Sequence, residues 1–453
     1  MSDTFVPEQL LARVLDSAKR HGATEADALF VTSRSTEVRV RLGETEQVKQ
    51  SNGKGVGLRV LVGDRTATTS SSDLRPEALE DLIQRTCAAA KLTASDPVSG
   101  LPEAGMFEPA EGDEELDLFD PRIDELSVEE AMRIAKETEE VSRSADTRIT
   151  NSEGAEMSWG SRQLFLANTS GLMRSRQTSS ASFWTTPIAE TESGMERDYW
   201  YTSARHLEDL TNPQEVGEEA ARRTIRRLGA KKPETCKVPV VFESTVASRL
   251  LGALSGAVNG GSVYREASYL GGQLGESIAA PTVHITDDPR IVRGAASKAF
   301  DGEGLATRRH EVVKDGVLQT YLLDTYTARK LGMETTRHAS RGLGGTPSPS
   351  STNFWMAPGD KTLVELIGEI ENGLLVTELF GVGVNTITGD YSQGAVGVWI
   401  ENGELTHAVS EFTIASTLPA IWNGIDGIGS DLDRRRATSA PSFRVSSMTV
   451  AGA

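Results

Sequence analysis

Twice within its first 230 residues the chain sets an amphipathic helix ahead of a group of strands, and after that glycine-punctuated strands dominate. Pro7–Arg20 repeats apolar residues at Leu10, Leu11, Val14, Leu15 and Ala18 and stops at Gly22, the spacing and terminal glycine of a helix with one buried face. Strands over residues 28–32, 36–42 and 56–62 are expected to form an antiparallel meander, with turns at Ser51-Asn52-Gly53 and Gly63-Asp64. A second helix over 75–91 places Leu79, Ile83 and Cys87 on one face, which makes Cys87 a core residue. Residues 93–114, with Pro97, Pro102 and Pro109 among glycines and acids, read as a linker.

The order then repeats. Ser127-Val128-Glu129-Glu130 has the form of a capping box opening a helix to about residue 142. Strands over 155–159, 163–167 and 172–183 follow, and Asn212-Pro213 caps a helix running to Gly229. Arg222, Arg223, Arg226 and Arg227 give that helix a basic face, expected to be solvated rather than docked on an acidic partner. Beyond Cys236, hairpin turns at Lys314-Asp315-Gly316 and Glu401-Asn402-Gly403 mark strand pairs. Helices are expected over 245–258, Thr325–Leu331, 361–371 and 418–432. The fold class is therefore α+β: two N-terminal helix-and-antiparallel-sheet units over 1–95 and 115–230, then a barrel-like, glycine-rich mixed β domain over 236–453.

Composition narrows the function. With 453 residues, 38% hydrophobic and 25% charged, a large buried core is available, and no apolar run spans a bilayer. The net charge of −18 opposes direct binding to nucleic acid or anionic lipid. Two cysteines make no disulfide framework, and Met1-Ser2-Asp3-Thr4 lacks a signal-peptide pattern, so a cytoplasmic protein is expected.

Metal and nucleophile motifs are incomplete. The six histidines stand in different elements, and after His310-Glu311 a zincin needs a second histidine where Lys314 stands. Asp390-Tyr391-Ser392-Gln393-Gly394 has one of the two glycines of a nucleophile elbow, and Gly271-Gly272 and Gly342-Leu343-Gly344-Gly345 fit no phosphate-binding loop. What remains is glycine and polar density at Phe300-Asp301-Gly302-Glu303-Gly304 and from Gly381 to Gly394, where backbone can approach backbone as strand addition of an extended peptide requires.

The same residues carry a family signature. Phe300-Asp301-Gly302-Glu303-Gly304-Leu305-Ala306-Thr307, Lys314-Asp315-Gly316-Val317-Leu318, Ala328-Arg329-Lys330-Leu331-Gly332, Gly373-Leu374-Leu375-Val376-Thr377-Glu378-Leu379 and Gly389-Asp390-Tyr391-Ser392-Gln393-Gly394 together resemble the TldD/PmbA family, once described as modulators of DNA gyrase. The TldD branch carries a zinc-binding HExxxH on a helix and a further cysteine near the C-terminus. Here the corresponding stretch from Ser248 to Arg265 has neither histidine nor glutamate at the motif positions, and Thr438-Ser439-Ala440-Pro441-Ser442 has no cysteine. The chain thus looks like the PmbA (TldE) branch. That resemblance implies a metal-free subunit pairing with a TldD-like metallopeptidase that holds zinc, the two together cleaving leader peptides or unstructured polypeptides. It places Asp301, Glu303, Gly304, Gly389, Asp390, Tyr391, Ser392 and Gly394 near a substrate cleft or partner interface. No catalytic or metal-binding residue and no cofactor is expected in this chain.

Three alternatives remain open: a stand-alone or homodimeric peptide binder, an enzyme using His310, Glu311 and Asp301 around a metal, and a gyrase regulator acting through protein contacts. Trp355, Trp399 and Trp422 are candidate interface anchors, although burial in the core suits each better.

Overall fold

The structure is a computed structural model, and it describes residues 6–109, 113–192 and 194–452. The first four residues, and residues 110–112 of the expected linker, lie outside that range. Strands β1 (Glu25–Arg41), β2 (Glu44–Val62), β3 (Arg65–Ser71), β4 (Ile149–Asn168), β5 (Met173–Thr191), β6 (Gly194–Arg197) and β7 (Trp200–Ala204) form one sheet. Its order is β3-β2-β1-β4-β5-β6, with β7 also paired to β5. β1 and β4 run antiparallel from Asp27–Asn168 to Val40–Ala155, so the two N-terminal units share a single sheet.

Alternation along β1 divides the faces. Ala28 and Phe30 pack with Leu11, Val14, Leu79 and Cys87 of the Pro7–Arg20 and Pro76–Ala90 helices. Val38 and Val40 pack with Ala131 and Ala135 of helix Val128–Ser144 and Val216 of helix Pro213–Ile225. Leu29 and Val31, of opposite parity, meet Ala299 and Phe300 from the C-terminal half. Cys87 is a core residue, 1% exposed.

The C-terminal half contains a closed five-stranded barrel. Its strands, in sheet order, are Glu404–Thr417, Asp390–Glu401, Asn372–Phe380, Cys236–Phe242 and Phe443–Ala451, and the last pairs back with the first at Ala451–Thr413. Closure removes exposed strand edges. The α+β fold with a barrel-like C-terminal region therefore stands as expected.

Several local expectations are corrected. Ser51-Asn52-Gly53 is not a turn but lies mid-strand in β2, opposite Arg34, Ser33 and Ser35 of β1. The hairpin turns instead at Leu42-Gly43, both at positive φ, where the buried Glu139 carboxylate accepts both backbone N–H groups at 2.8 and 2.9 Å. The 155–159 and 163–167 strands are one continuous β4. Ser127 caps its helix, but Glu130 turns to Arg133 rather than completing the box. The helix expected over 418–432 ends at Asn423, because Ile425–Ile428 pairs with Phe443–Ala451.

The basic helix face is not fully solvated. Arg222 is exposed, but Arg223, Arg226 and Arg227 turn inward: Arg223 and Arg226 meet Glu243 at 2.9 and 2.8 Å, and Arg227 meets Glu378 at 2.6 Å. The basic face thus docks on carboxylates of the chain's own C-terminal half. Trp422 is buried against Phe443, whereas Trp355 and Trp399 are half-buried.

Candidate functional site

Helix Ser244–Ala257 packs a stripe of Val246, Leu250, Leu251 and Leu254 into the barrel-side core. Each fully buried leucine contributes about 2 kcal/mol from apolar burial. The remaining face carries Ser248, Arg249, Gly252 and Gly256, and a Cβ added at either glycine would meet open space. The Ser248 hydroxyl donates to the Ser244 carbonyl at 2.9 Å and accepts from Ala440 N at 3.2 Å, and Arg249 donates to the Leu379 carbonyl. Zinc needs imidazole, thiolate or carboxylate ligands. This face offers hydroxyl, guanidinium and hydrogen, so its donor set does not fit the ion. Among the described residues no three His, Cys, Asp or Glu side chains gather as a metal site.

Gly389 to Gly394 leads into and begins a barrel strand. Gly389, at φ +83°, lies beside Pro419, and its carbonyl accepts from Leu418 N at 2.6 Å. Asp390 is exposed and accepts from the Thr388 hydroxyl at 2.6 Å. Tyr391 is buried in the core, and burial raises its phenol pKa. Ser392 N donates to the Gly383 carbonyl at 2.7 Å, while Gly394 lies under the Phe380 ring. Beside them Phe380, Val382 and Ile387 are exposed.

Asp301, Glu303 and Gly304 stand elsewhere, where the C-terminal half meets the N-terminal sheet. Asp301 accepts from Glu303 N, Leu305 N and Ala339 N at 2.9, 3.0 and 3.2 Å. Glu303 accepts from the Thr325 backbone N–H and hydroxyl at 3.0 and 2.7 Å. Gly304, at φ +88°, presses on Leu172 of the β4–β5 hairpin, leaving no room for a Cβ. Among the described residues no hydrogen bond or ion pair joins this segment to the Gly389–Gly394 loop.

Electrostatics mark the junction. Burial, then the neighbouring Asp301 and Asp324, pushes Glu303 up to about 8. Burial also raises Asp301 against the opposing pull of Lys298, and raises Asp324, which caps helix Thr325–Leu331. Burial and Arg176 bring Lys298 down to about 8. Facing this cluster, Asp27 is held below the usual carboxylate range, because Arg341 and Arg59 outweigh its burial.

Sequence reasoning missed Asp27, Arg59, Arg341 and Asp324. A lone arginine inside the apolar run of residues 56–62, and Asp324 three residues ahead of Thr327, were the available signals.

The metal alternative built on His310, Glu311 and Asp301 finds no convergence. Glu311 pairs with Lys314 at the surface, Asp301 faces backbone amides, and burial and His338 bring His310 down to about 4. His338 does bridge Thr336 and Asp287 at 2.8 and 3.0 Å, a hydroxyl–imidazole–carboxylate order. Its members are 8%, 1% and 0% exposed, and Thr336 Oγ1 already accepts from Leu323 N, so no substrate carbonyl reaches it.

Sequence comparison agrees with this architecture in three consecutive blocks. Residues 26–90 match PmbA/TldA metallopeptidase domain 1, residues 121–228 the central domain and residues 235–452 the C-terminal domain. The metalloprotease PmbA of Escherichia coli is 38% identical over 100% of this chain and 98% of its own length. This chain belongs to the PmbA/TldD family. Solved structures show the same fold. A Bacteroides thetaiotaomicron protein described as a candidate modulator of DNA gyrase superimposes with a TM-score of 0.91 at 29% identity, covering 98% of this chain and 99% of that one. TldE from Thermococcus kodakarensis superimposes with a TM-score of 0.85 at 20% identity, covering 98% of this chain and 100% of that one, a likeness of fold.

Proposed function

We propose that this chain is the non-hydrolytic subunit of a two-subunit zinc peptidase. It completes a cleft for unstructured or leader peptides, and a TldD-like partner supplies the metal. The helix Ser244–Ala257 carries the reading: the resemblance aligns it with the helix that holds the zinc ligands in the metal-binding branch, and its outward face has Ser248, Gly252 and Gly256 and no metal donor. Its small residues leave space for a substrate backbone or a partner surface close to the barrel. The exposed Phe380, Val382 and Ile387 beside the Gly389–Gly394 loop provide apolar contact area of the kind that partner interfaces use. On this reading the junction residues Asp301 and Glu303 fix how the barrel sits on the N-terminal sheet, and with it the shape of the cleft.

The test is a proteolysis assay on an unstructured peptide, comparing this chain, a TldD-like partner and their mixture, each with and without a zinc chelator. Activity confined to the mixture and abolished by chelation is the expected result. Chelator-sensitive cleavage by this chain alone overturns the reading. Peptide binding by this chain with no gain of cleavage in the mixture favours the stand-alone peptide binder.

A further inference from the structure

The chain carries −18 net charge, yet a cleft of about 490 Å³ between β1, β4, β5 and the segment before Phe300 has only basic charges on its walls. Arg34 comes from β1, Arg162 from β4, Arg176 from β5, Arg205 from just beyond β7, and Lys298 from the C-terminal half. No aspartate or glutamate is among the described residues lining it.

Among the described residues, no ion pair joins Arg34, Arg162 or Arg205 to a carboxylate. Arg205 donates to the carbonyls of Gly294, Ser179 and Ala295, and with no acid beside it burial lowers its pKa. Arg176 donates to the Phe300 carbonyl and lies over the Phe300 ring at 5.3 Å. Lys298 donates to the Ala339 carbonyl at 3.3 Å. Arg34 and Arg162 are exposed. The carbonyl dipoles that orient Arg205 do not neutralise it, and with the exposed Arg34 and Arg162 it keeps the field inside the cleft positive.

Two of the three carboxylates at the rim are paired with arginines. Asp124 accepts from the Ser161 hydroxyl at 2.6 Å, Asp209 pairs with Arg293 at 3.1 Å, and Asp433 pairs with Arg435 at 2.7 Å. In the adjoining hollow Arg434 lies over Trp355 at 4.6 Å and extends the basic lining. The floor adds hydroxyls from Ser180 and Ser203 and the Ser158–Ser182 pair, short donors suited to carboxylates and peptide carbonyls. Gly160 brings β4 against the Arg34 carbonyl of β1, where a Cβ would lie 2.2 Å from that oxygen, and so shapes the floor.

We infer that this cleft binds an acidic stretch of an extended polypeptide, with Arg34, Arg162 and Arg205 as its carboxylate contacts. The inference deepens the proposed function by naming a substrate class and rests on that reading for its biological setting. Binding itself is a property of this chain alone. A peptide is favoured over nucleic acid because the walls offer hydroxyls and guanidinium groups, while Trp159, the one aromatic residue lining it among the described residues, is 7% exposed and presents no ring face for stacking bases.

The test uses the full chain without a partner and fluorescence anisotropy of a labelled, unstructured Asp/Glu-rich peptide. Its Asn/Gln counterpart and a single-stranded oligonucleotide serve as competing probes. The acidic peptide is expected to bind at least about tenfold more tightly than the amide form, and its affinity to fall as salt is raised from about 50 mM to about 0.5 M. The double variant Arg34→Glu/Arg162→Glu, at exposed positions, is expected to lose about tenfold or more in affinity, while Arg13→Glu on the exposed side of the first helix leaves it unchanged. Equal binding of the two peptides, full affinity in the double variant, or tighter binding of the oligonucleotide each overturns the assignment. None of these results depends on proteolysis, so the mixing assay fails or succeeds independently.

Discussion

Glu303→Gln is the sharpest probe of the junction between barrel and sheet. Glu303 is 4% exposed, its carboxylate accepts twice from Thr325, and its pKa is pushed up to about 8 by burial and by the neighbouring Asp301 and Asp324. An unfolded glutamate titrates near 4.5. Between those values the folded protein holds a proton that the unfolded chain releases, so stability falls as pH rises through this window and is flat on either side. Each pH unit costs about 1.4 kcal/mol, so the interval from pH 6 to pH 8 removes roughly 2–3 kcal/mol. A glutamine keeps an oxygen for Thr325 and carries no charge. Urea unfolding followed by tryptophan fluorescence at pH 5.5, 7 and 8.5 is therefore expected to show the variant gaining on the wild type as pH rises, with the gain levelling off above pH 8. Asp301 stays in the variant, relieved of its neighbour's charge, so a smaller slope survives. A difference between the two proteins that does not change with pH refutes the account of a proton held on buried Glu303.

The remaining predictions concern contacts between elements distant in sequence. Glu243→Gln removes a carboxylate that Arg226 and Arg223 hold at about 2 against its burial, so it is expected to destabilise the protein by about 3 kcal/mol at pH 7, read from urea midpoints. Because that folded pKa lies below the unfolded one, the wild type loses this advantage only as pH falls from about 4.5 toward 2, and the two proteins converge there. Gly57→Ala places a methyl 1.9 Å from the Leu343 carbonyl, where the glycine-rich loop crosses β2, and should lower the melting temperature by an amount corresponding to about 1–3 kcal/mol. A zinc chelator added to the chain alone should leave its thermal unfolding midpoint unchanged, since neither the Ser244–Ala257 helix nor any other described cluster offers a metal-binding set. A shift of several degrees contradicts that.

Local chemistry made some of the fold legible. The Pro7–Arg20 helix follows from its apolar spacing and terminal glycine, and the turns at Asp315-Gly316 and Asn402-Gly403 follow from pairs that accept positive φ. The same rule misplaced the turn between β1 and β2. Asn52-Gly53 has the better turn composition, but a long antiparallel register holds it extended, and Glu139 from a distant helix stabilises Leu42-Gly43 in its place. Periodicity extended the 418–432 helix too far because nothing local reports that Ile425–Ile428 will pair with a strand near the C-terminus.

The candidate site divides in the same way. The sequence by itself determined the α+β class, the glycine-rich second half, the family signature, and a helix without metal donors, since these depend on residue types and short spacings. Only the tertiary structure decided that Asp301 and Glu303 share a proton-holding pocket facing Asp27, Arg59 and Arg341, that three of the four arginines of the basic helix face turn inward, and that five cations from distant segments line one cleft. Charge and burial act through space: a side chain's ionisation depends on what the fold brings within a few ångströms of it, and here those neighbours are up to 314 residues away along the chain.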